Sequence, residues 1–323
     1  MNIESVNRCN VCRCYLDVDD LFCANCGTEN PLHSSQQDTP PAAERVISFD
    51  CQGCGASMRY DAEAQALRCP FCGSTRIVQQ PPRAHIAPQW AAPARVDRHH
   101  AEQILREWLK TGFWRPSDAA TSSTIAEMRG VYVPFWNFRA RTDTKWTADA
   151  SPPPAGCRGN WYPVSGRFQS TYESVLIPGS SALTLAEGQA IGPFQLANLV
   201  PIDQCDMRGW IVETLKRPRK AVRPIVRAEI ERLEAQRAAS RLPGRHRNLH
   251  VNVRIEELFG TPVLLPVWIL AYRYRGQVRR VLINAQTGKI SGIAPFSYKK
   301  LAMVILVVLA VIIGLLALVA MNS

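Results

Sequence analysis

Four Cys-x-x-Cys pairs crowd into the first 72 residues of this chain: Cys9 with Cys12, Cys23 with Cys26, Cys51 with Cys54, and Cys69 with Cys72. They use eight of its eleven cysteines. Two residues between cysteines let a tight turn aim both sulfurs at one point, and two such turns about a dozen residues apart can close a tetrahedron around zinc. Glycine follows three of the pairs, at Gly27, Gly55 and Gly73, where a residue without Cβ lets the turn close. Four thiolates leave no open coordination position, so the pattern predicts two structural zinc ions and no catalytic metal. Segments this short bury too little apolar surface to fold unaided, whereas a structural zinc contributes about 10–16 kcal/mol of apparent binding energy. The competing chemistry is disulfide formation, which needs an oxidising compartment. The opening "MNIESVNRCN" has neither the basic region nor the apolar core of a secretory signal. Within "CNVCRC", Cys14 offers Cys12 a second partner, but the two-residue gap favours Cys9. Cys157 and Cys205 stand alone and are expected to be small, buried apolar side chains.

The other end is equally constrained. Leu301 to Ala320 reads "LAMVILVVLAVIIGLLALVA", without a single charge. At about 1.5 Å of rise per residue, such a helix matches the roughly 30 Å hydrocarbon core of a bilayer. Lys299 and Lys300 precede it, and only Met321, Asn322 and Ser323 follow. The positive-inside tendency then places the N-terminal region in the cytosol, as a tail-anchored, single-pass membrane protein. Reduced cytosolic thiols agree with zinc rather than disulfides.

Between these ends the sequence predicts a zinc ribbon at 1–30, a linker at 31–45, a second ribbon at 46–78 and a Pro/Ala-rich linker at 79–96. An α+β body at 97–298 and the membrane anchor at 299–323 complete the order. The linkers read as extended tethers carrying the ribbons like beads. The body opens with a helix: Asp97 can cap it, Ala101, Ile104, Leu105, Trp108 and Leu109 share one face, and it ends near Gly112. Adjacent His99 and His100 point in different directions and belong to a solvated helix start. In "FWNFRARTDTKW" the period changes to two. Trp136, Phe138, Ala140, Thr142, Thr144 and Trp146 fall on one face of a long strand, and Asn137, Arg139, Arg141, Asp143 and Lys145 on the other. "VPFWNFRAR" aligns with "LPVWILAYR" at a constant offset of 132, pairing Pro134 with Pro266 and Trp136 with Trp268. Either a helix-plus-sheet unit is duplicated, or two amphipathic strands resemble each other by chance. "RRVLINAQTGKISG" reads as strand, Asn-initiated turn with Gly288 in the left-handed position, and strand, so the sheet is expected to be antiparallel.

The segments "FDCQGCGASMRYDAEAQALRCPFCGS", "YVPFWNF", "NLHVNVRIEELFGTPVLLPVWILAYRYRG" and "VLINAQTGKISGIAPFSYKK" together resemble bacterial zinc-ribbon membrane proteins of the transcription-factor-IIB type, which are often catalogued as relatives of a primosomal helicase. The first cysteine cluster resembles instead the double-zinc-ribbon module. The resemblance implies zinc ligation by Cys51, Cys54, Cys69 and Cys72. It brings no helicase motor: the one candidate phosphate loop, "INAQTGKIS", lacks its first glycine and continues Lys-Ile. No motif of a nucleophilic elbow, a catalytic zinc helix or a dinucleotide loop occurs, so an enzyme is not expected.

One charged run remains. From Lys216 to Arg247 there are eleven Lys and Arg against three Glu, within a chain of net charge +11. On a helix from about 222 to 241, Ile225, Ile230, Leu233 and Ala238 form an incomplete apolar side and arginines occupy the rest. Arg219, Lys220, Arg223 and Arg227 could then meet anionic headgroups or nucleic-acid phosphates, or simply form a solvated face. The reading favoured is a membrane-tethered binding or scaffold protein that displays its ribbons to a protein partner. The alternative is nucleic-acid binding, less favoured because the ribbons offer only Tyr60 and Phe71 as stacking platforms.

Overall fold

The computed structural model describes residues 8–13, 16, 23, 26, 28, 48–59, 68–80 and 88–321. Cys14, Gly27, Tyr60 and the linker at 31–45 lie outside the described residues. In chain order the elements are β1 (Ser48–Cys51), β2 (Ser57–Arg59), β3 (Ile77–Gln80), β4 (Trp90–Ala91), α1 (Arg98–Lys110), α2 (Ala119–Ser122), β5 (Thr124–Ser151) and β6 (Tyr162–Pro178). There follow α3 (Leu185–Ile191), β7 (Val200–Pro201), β8 (Ile211–Glu213), α4 (Arg219–Ala239), β9 (Arg245–Tyr274), β10 (Gln277–Asn284), β11 (Ile290–Gly292) and α5 (Tyr298–Met321). The class is mixed α+β. The chain divides into two compact units: Met1–Pro93 with Tyr132–Gln189 and Leu196–Leu265, and Ala94–Val131 with Ala190–Gln195 and Pro266–Ser323.

In the first unit the period-two pattern of β5 holds. Trp136, Phe138, Ala140, Thr142 and Thr144 are buried, while Arg139, Arg141 and Lys145 are exposed. β5 turns back on itself as antiparallel β6, in a register from Phe135↔Pro178 to Ala150↔Tyr162 with a bulge between Phe138 and Ala140. Asp143 breaks the alternation: it is buried because Arg167 donates to both its oxygens, at 2.7 and 2.6 Å. The apolar face carries α4, whose Val222, Val226 and Ile230 pack with Trp136, Phe138, Val175, Ile177 and Leu258. Each such aliphatic side chain contributes about 1.5–3 kcal/mol on full burial. Ile225 and Leu233, expected on this face with Ile230 and Ala238, are only half-buried beside it.

A buried acid locks that helix in place. Glu234, fully buried on α4, accepts a hydrogen bond from the Thr144 hydroxyl at 2.5 Å and another from the Tyr172 hydroxyl. Burial, and then the Glu234 bond, push the Tyr172 hydroxyl well above its ordinary pKa, so it stays a donor.

The second unit is built on α1 and the last part of β9. Asp97 caps α1 by accepting from the His100 amide at 2.8 Å, and Ala101, Leu105 and Leu109 are buried. His99 and His100 are exposed. β9 pairs with β10 from Val267↔Asn284 to Tyr274↔Gln277, and β10 with β11. The turn between them is Asn-initiated: the Asn284 side chain accepts from the Gln286 and Thr287 amides, and Gly288 has φ +75°.

The two units share a hydrogen-bond pattern that extends beyond the strands. In the first, the Trp136 indole donates to the Arg217 carbonyl at 2.9 Å, the Gly179 amide to Pro134 at 2.8 Å, and the Lys216 and Arg217 amides to Gly179 at 3.2 and 3.1 Å. In the second, the Trp268 indole donates to Val96 at 2.7 Å, the Ala285 amide to Pro266 at 3.0 Å, and the Arg95 and Val96 amides to Ala285, both at 2.8 Å. Segments 216–217 and 95–96 lead into α4 and α1. Chain order therefore runs β4, α1, β5, β6 and then β8, α4, β9, β10, with each helix entry bonded to the strand pair of the other run.

The tether expectation does not survive at its described ends. Residues 90–91 form β4, which pairs antiparallel with β7 and parallel with β9, and Ala91 and Ala92 are fully buried. Nor is the second cysteine module a separate bead. Its β2 pairs antiparallel with β8, Met58↔Glu213 and Arg59↔Val212, and the Thr214 amide donates to Ser57 at 2.8 Å. Lys216 meets Asp50 at 2.8 Å. The physical reason is that a free strand edge leaves a row of amides and carbonyls unpaired, and pairing satisfies them.

Candidate metal centres

Each cysteine cluster is assembled by knuckles, tight turns closed by backbone bonds. The amides of Arg13, Gly55 and Gly73 donate to the carbonyls of Cys9, Cys51 and Cys69 at 2.9, 2.9 and 2.8 Å. A second bond ties down the two turns of the second cluster, the Cys51 and Cys69 amides donating to Ala56 and Ser74, both at 2.8 Å, and in the other knuckle of the first cluster the Cys23 amide donates to Thr28 at 2.6 Å. The residue closing a knuckle sits at positive φ, +78° at Gly55 and +72° at Gly73, which explains glycine there. At the first knuckle Arg13 takes that conformation, φ +58°, despite its side chain. Gly27 lies outside the described residues.

The turns converge as the spacing predicts. The ligand atoms of Cys9, Cys12, Cys23 and Cys26 all lie within 4.8 Å of one another, and so do those of Cys51, Cys54, Cys69 and Cys72. The closest sulfur pairs are Cys9 with Cys26 and Cys12 with Cys23, both at 3.4 Å, then Cys51 with Cys72 at 3.5 Å and Cys54 with Cys69 at 3.6 Å. A tetrahedron with metal–sulfur bonds of about 2.3 Å has edges of about 3.8 Å, so a small contraction of the longer pairs and expansion of these closes a four-thiolate shell. Two tetracysteine clusters that could hold metal ions are therefore present, and their all-sulfur donor sets suggest zinc. The Gly53 amide points at the Cys51 sulfur at 3.3 Å, a donor that favours thiolate over thiol.

The thiols already differ in acidity. The hydrogen bond from Cys69, before any other influence, holds Cys54 at about 5, and the same bond pushes Cys69 well above the ordinary thiol range. Burial raises Cys72. Bonds from the Thr28 hydroxyl and amide hold Cys26 at about 6, and the Cys12 amide lowers Cys9. In the second cluster a thiol that favours its charged form thus sits beside one that holds its proton, and cation binding there releases that proton.

In the first cluster Cys9 and Cys23 are buried with Leu16, Cys12 and Phe259 of β9 pack alongside half-buried, and Cys26 is exposed. The solitary cysteines behave differently from each other. Cys205 is half-buried, its sulfur 3.4 Å from the Tyr132 hydroxyl, whereas Cys157, contrary to expectation, is exposed together with its neighbours 154–160 in the β5–β6 turn.

The candidate anionic-surface residues do not form one set. Lys220, Arg223 and Arg227 are exposed on α4, and Arg227 pairs with Glu231 at 3.0 Å. Arg219 is only 2% exposed and donates to the Leu258 carbonyl at 3.3 Å, so it cannot meet a phosphate. It belongs to the buried side because the helix starts three residues earlier than its charge pattern suggests. The expected span, Leu301 to Ala320, lies inside α5. Its stretch Tyr298–Leu316 has a mean hydropathy of 2.6 and none of it is buried, so it could cross a membrane.

No family model matches this chain, and no solved structure matches it. A protein of Bacillus subtilis (strain 168) described as "Uncharacterized protein YdjG" is 24% identical over 317 residues, covering 80% of this chain and 92% of that one.

Proposed function

We propose that the protein is a single-pass membrane protein of the transcription-factor-IIB zinc-ribbon type, holding two structural zinc ions and binding a protein partner on the cytosolic side. The convergence of four sulfurs in each cluster carries this reading, because four thiolates saturate zinc and make it a fold-forming ion. The unburied apolar helix beginning beside Lys299 and Lys300 supports the anchor and the orientation. The repeated hydrogen-bond pattern supports an internal duplication as the scaffold that carries both modules.

One observation favours nucleic acid as a second reading. Beside β5, β6 and β9 opens a cavity of about 650 Å³ lined by Lys145, His250 and Arg254, by Trp146, and by the Asp143–Arg167 pair. Cations beside an aromatic suit a phosphate-linked strand. Crosslinking in intact cells, then purification of the full chain from detergent-extracted membranes with and without nuclease, separates the two. The scaffold reading expects a nuclease-resistant protein partner that disappears when Cys12 and Cys54 are replaced with Ser. A nuclease-sensitive set overturns it. Protease added to sealed cytosol-side-out vesicles should remove the cysteine modules, and full protection there reverses the orientation.

A further inference from the structure

Two aromatic segments far apart in sequence meet at the start of α5. Phe113 and Trp114 follow α1, and Phe296 and Tyr298 lead into α5. The Trp114 ring stacks on Phe296 at 5.7 Å, Phe113 meets Trp114 edge-on at 5.0 Å, and Tyr298 meets Phe296 at 5.3 Å. All four are exposed, from 40% at Trp114 to 77% at Tyr298, and Ile293 beside them in sequence is 70% exposed. Water is a poor solvent for so large a contiguous apolar surface, and a patch of this kind marks a contact.

Backbone bonds fix where that contact lies. The Ser297 amide donates to the Trp114 carbonyl at 2.8 Å, and the Ser297 hydroxyl accepts from the Lys300 amide at 3.3 Å, capping α5. The Phe113–Trp114 loop is thereby tied to the N-cap of the apolar helix. Gly112, at φ +109°, ends α1 and turns the loop outward; a side chain there would be strained and would crowd Arg115. From Ser297 to the first residue of the uncharged stretch, Leu301, is four residues, or about 6 Å of helix rise. The interfacial layer on each side of the hydrocarbon is about 5–8 Å thick, so the tied loop falls at headgroup depth. That is where Trp and Tyr are enriched. Lys300 lies over the Phe113 ring at 5.9 Å and Lys299 is exposed, which suits the phosphates of the same layer.

We infer that Phe113, Trp114, Phe296 and Tyr298 form an interfacial aromatic wedge that inserts into the headgroup layer of the bilayer α5 crosses, giving the second compact unit a second membrane contact besides the span. This rests on α5 being a span. The occupant is the bilayer rather than another protein because the patch is continuous with the apolar helix and held at its N-terminus by a backbone bond.

The test uses the full chain in liposomes whose acyl chains are brominated close to the headgroup, a short-range quencher of tryptophan emission. Trp114 is one of eight tryptophans, and none lies in the apolar stretch, so the inference expects about one eighth of the emission to be lost. Trp114→Phe, which keeps the stack, should abolish the quenching, while Trp210→Phe should leave it unchanged. A chain that floats with the liposomes but is not quenched, or a Trp114→Phe variant quenched like the parent, overturns the wedge and leaves the span intact. A chain that does not float overturns the span and the wedge together.

Discussion

Stripping metal from the second cysteine cluster should loosen a strand of the body as well as the module itself. The Thr214 amide, just past β8, donates to the Ser57 carbonyl in that module, so its protection from hydrogen exchange depends on a partner the metal holds in place. Met58 is fully buried on β2, about 2 kcal/mol. The Thr214–Ser57 bond adds about 1 kcal/mol. The half-exposed Lys216–Asp50 pair adds less than about 1 kcal/mol. Together the docking is about 3–4 kcal/mol, which at about 1.4 kcal/mol per decade is a hundredfold to several hundredfold in the closed-to-open ratio. Cys54→Ser, read by exchange and mass spectrometry on the full chain in detergent, should therefore deprotect β1, β2, β3 and the Thr214 amide by up to that factor. α4, β5 and β6 stay protected, because their core draws nothing from the module. Unchanged exchange at Thr214 while β1–β3 open would refute the claim that β2 and β8 form a working interface. Loss of protection throughout the body would refute the claim that the core stands apart.

Three further outcomes follow from single side chains. Arg13→Gly relieves a left-handed conformation that costs a non-glycine residue about 1–2 kcal/mol, partly offset by unfolded-chain entropy, so the first cluster should retain zinc a few-fold more tightly against a chromophoric chelator; weaker retention contradicts this. Glu234→Ala leaves the Thr144 and Tyr172 hydroxyls without their buried acceptor, a loss of about 3–5 kcal/mol and on the order of 10 °C in Tm by thermal melting, with Glu234→Gln intermediate; an unchanged Tm refutes the lock. Arg167 holds the buried Asp143 carboxyl below the usual carboxylate range, so its contribution is full above the unfolded pKa of about 4 and fades as pH falls through the lower folded value. The penalty of Arg167→Leu should shrink on acidification below about pH 4, and a penalty that grows there contradicts the pairing.

Local chemistry was legible in the sequence, and long-range pairing was not. The knuckles, the Asp97 cap, the period-two face of Trp136 to Thr144 and the Asn284 turn each depend on residues within a few positions of one another, and each forms as its pattern implies. β8, by contrast, is three residues long and is a strand because β5 and β2 flank it. Ala91 and Ala92 looked like tether because small residues carry little hydrophobic signal, yet they are buried where β4 joins β9. Glu234 and Arg219 carried the charge that marks a solvated face, and only their tertiary partners explain their burial. The aromatic wedge did leave a trace, "GFW" and "PFSYKK", but its two halves are some 180 residues apart and converge only in three dimensions.

The central claim is that each tetracysteine cluster closes around one structural zinc. Elemental analysis of the full chain purified in detergent, with protein quantified by amino-acid analysis, should find about two zinc per chain, falling to about one in either Cys12→Ser or Cys54→Ser. No zinc, with the thiols of both clusters freely reactive, would contradict it.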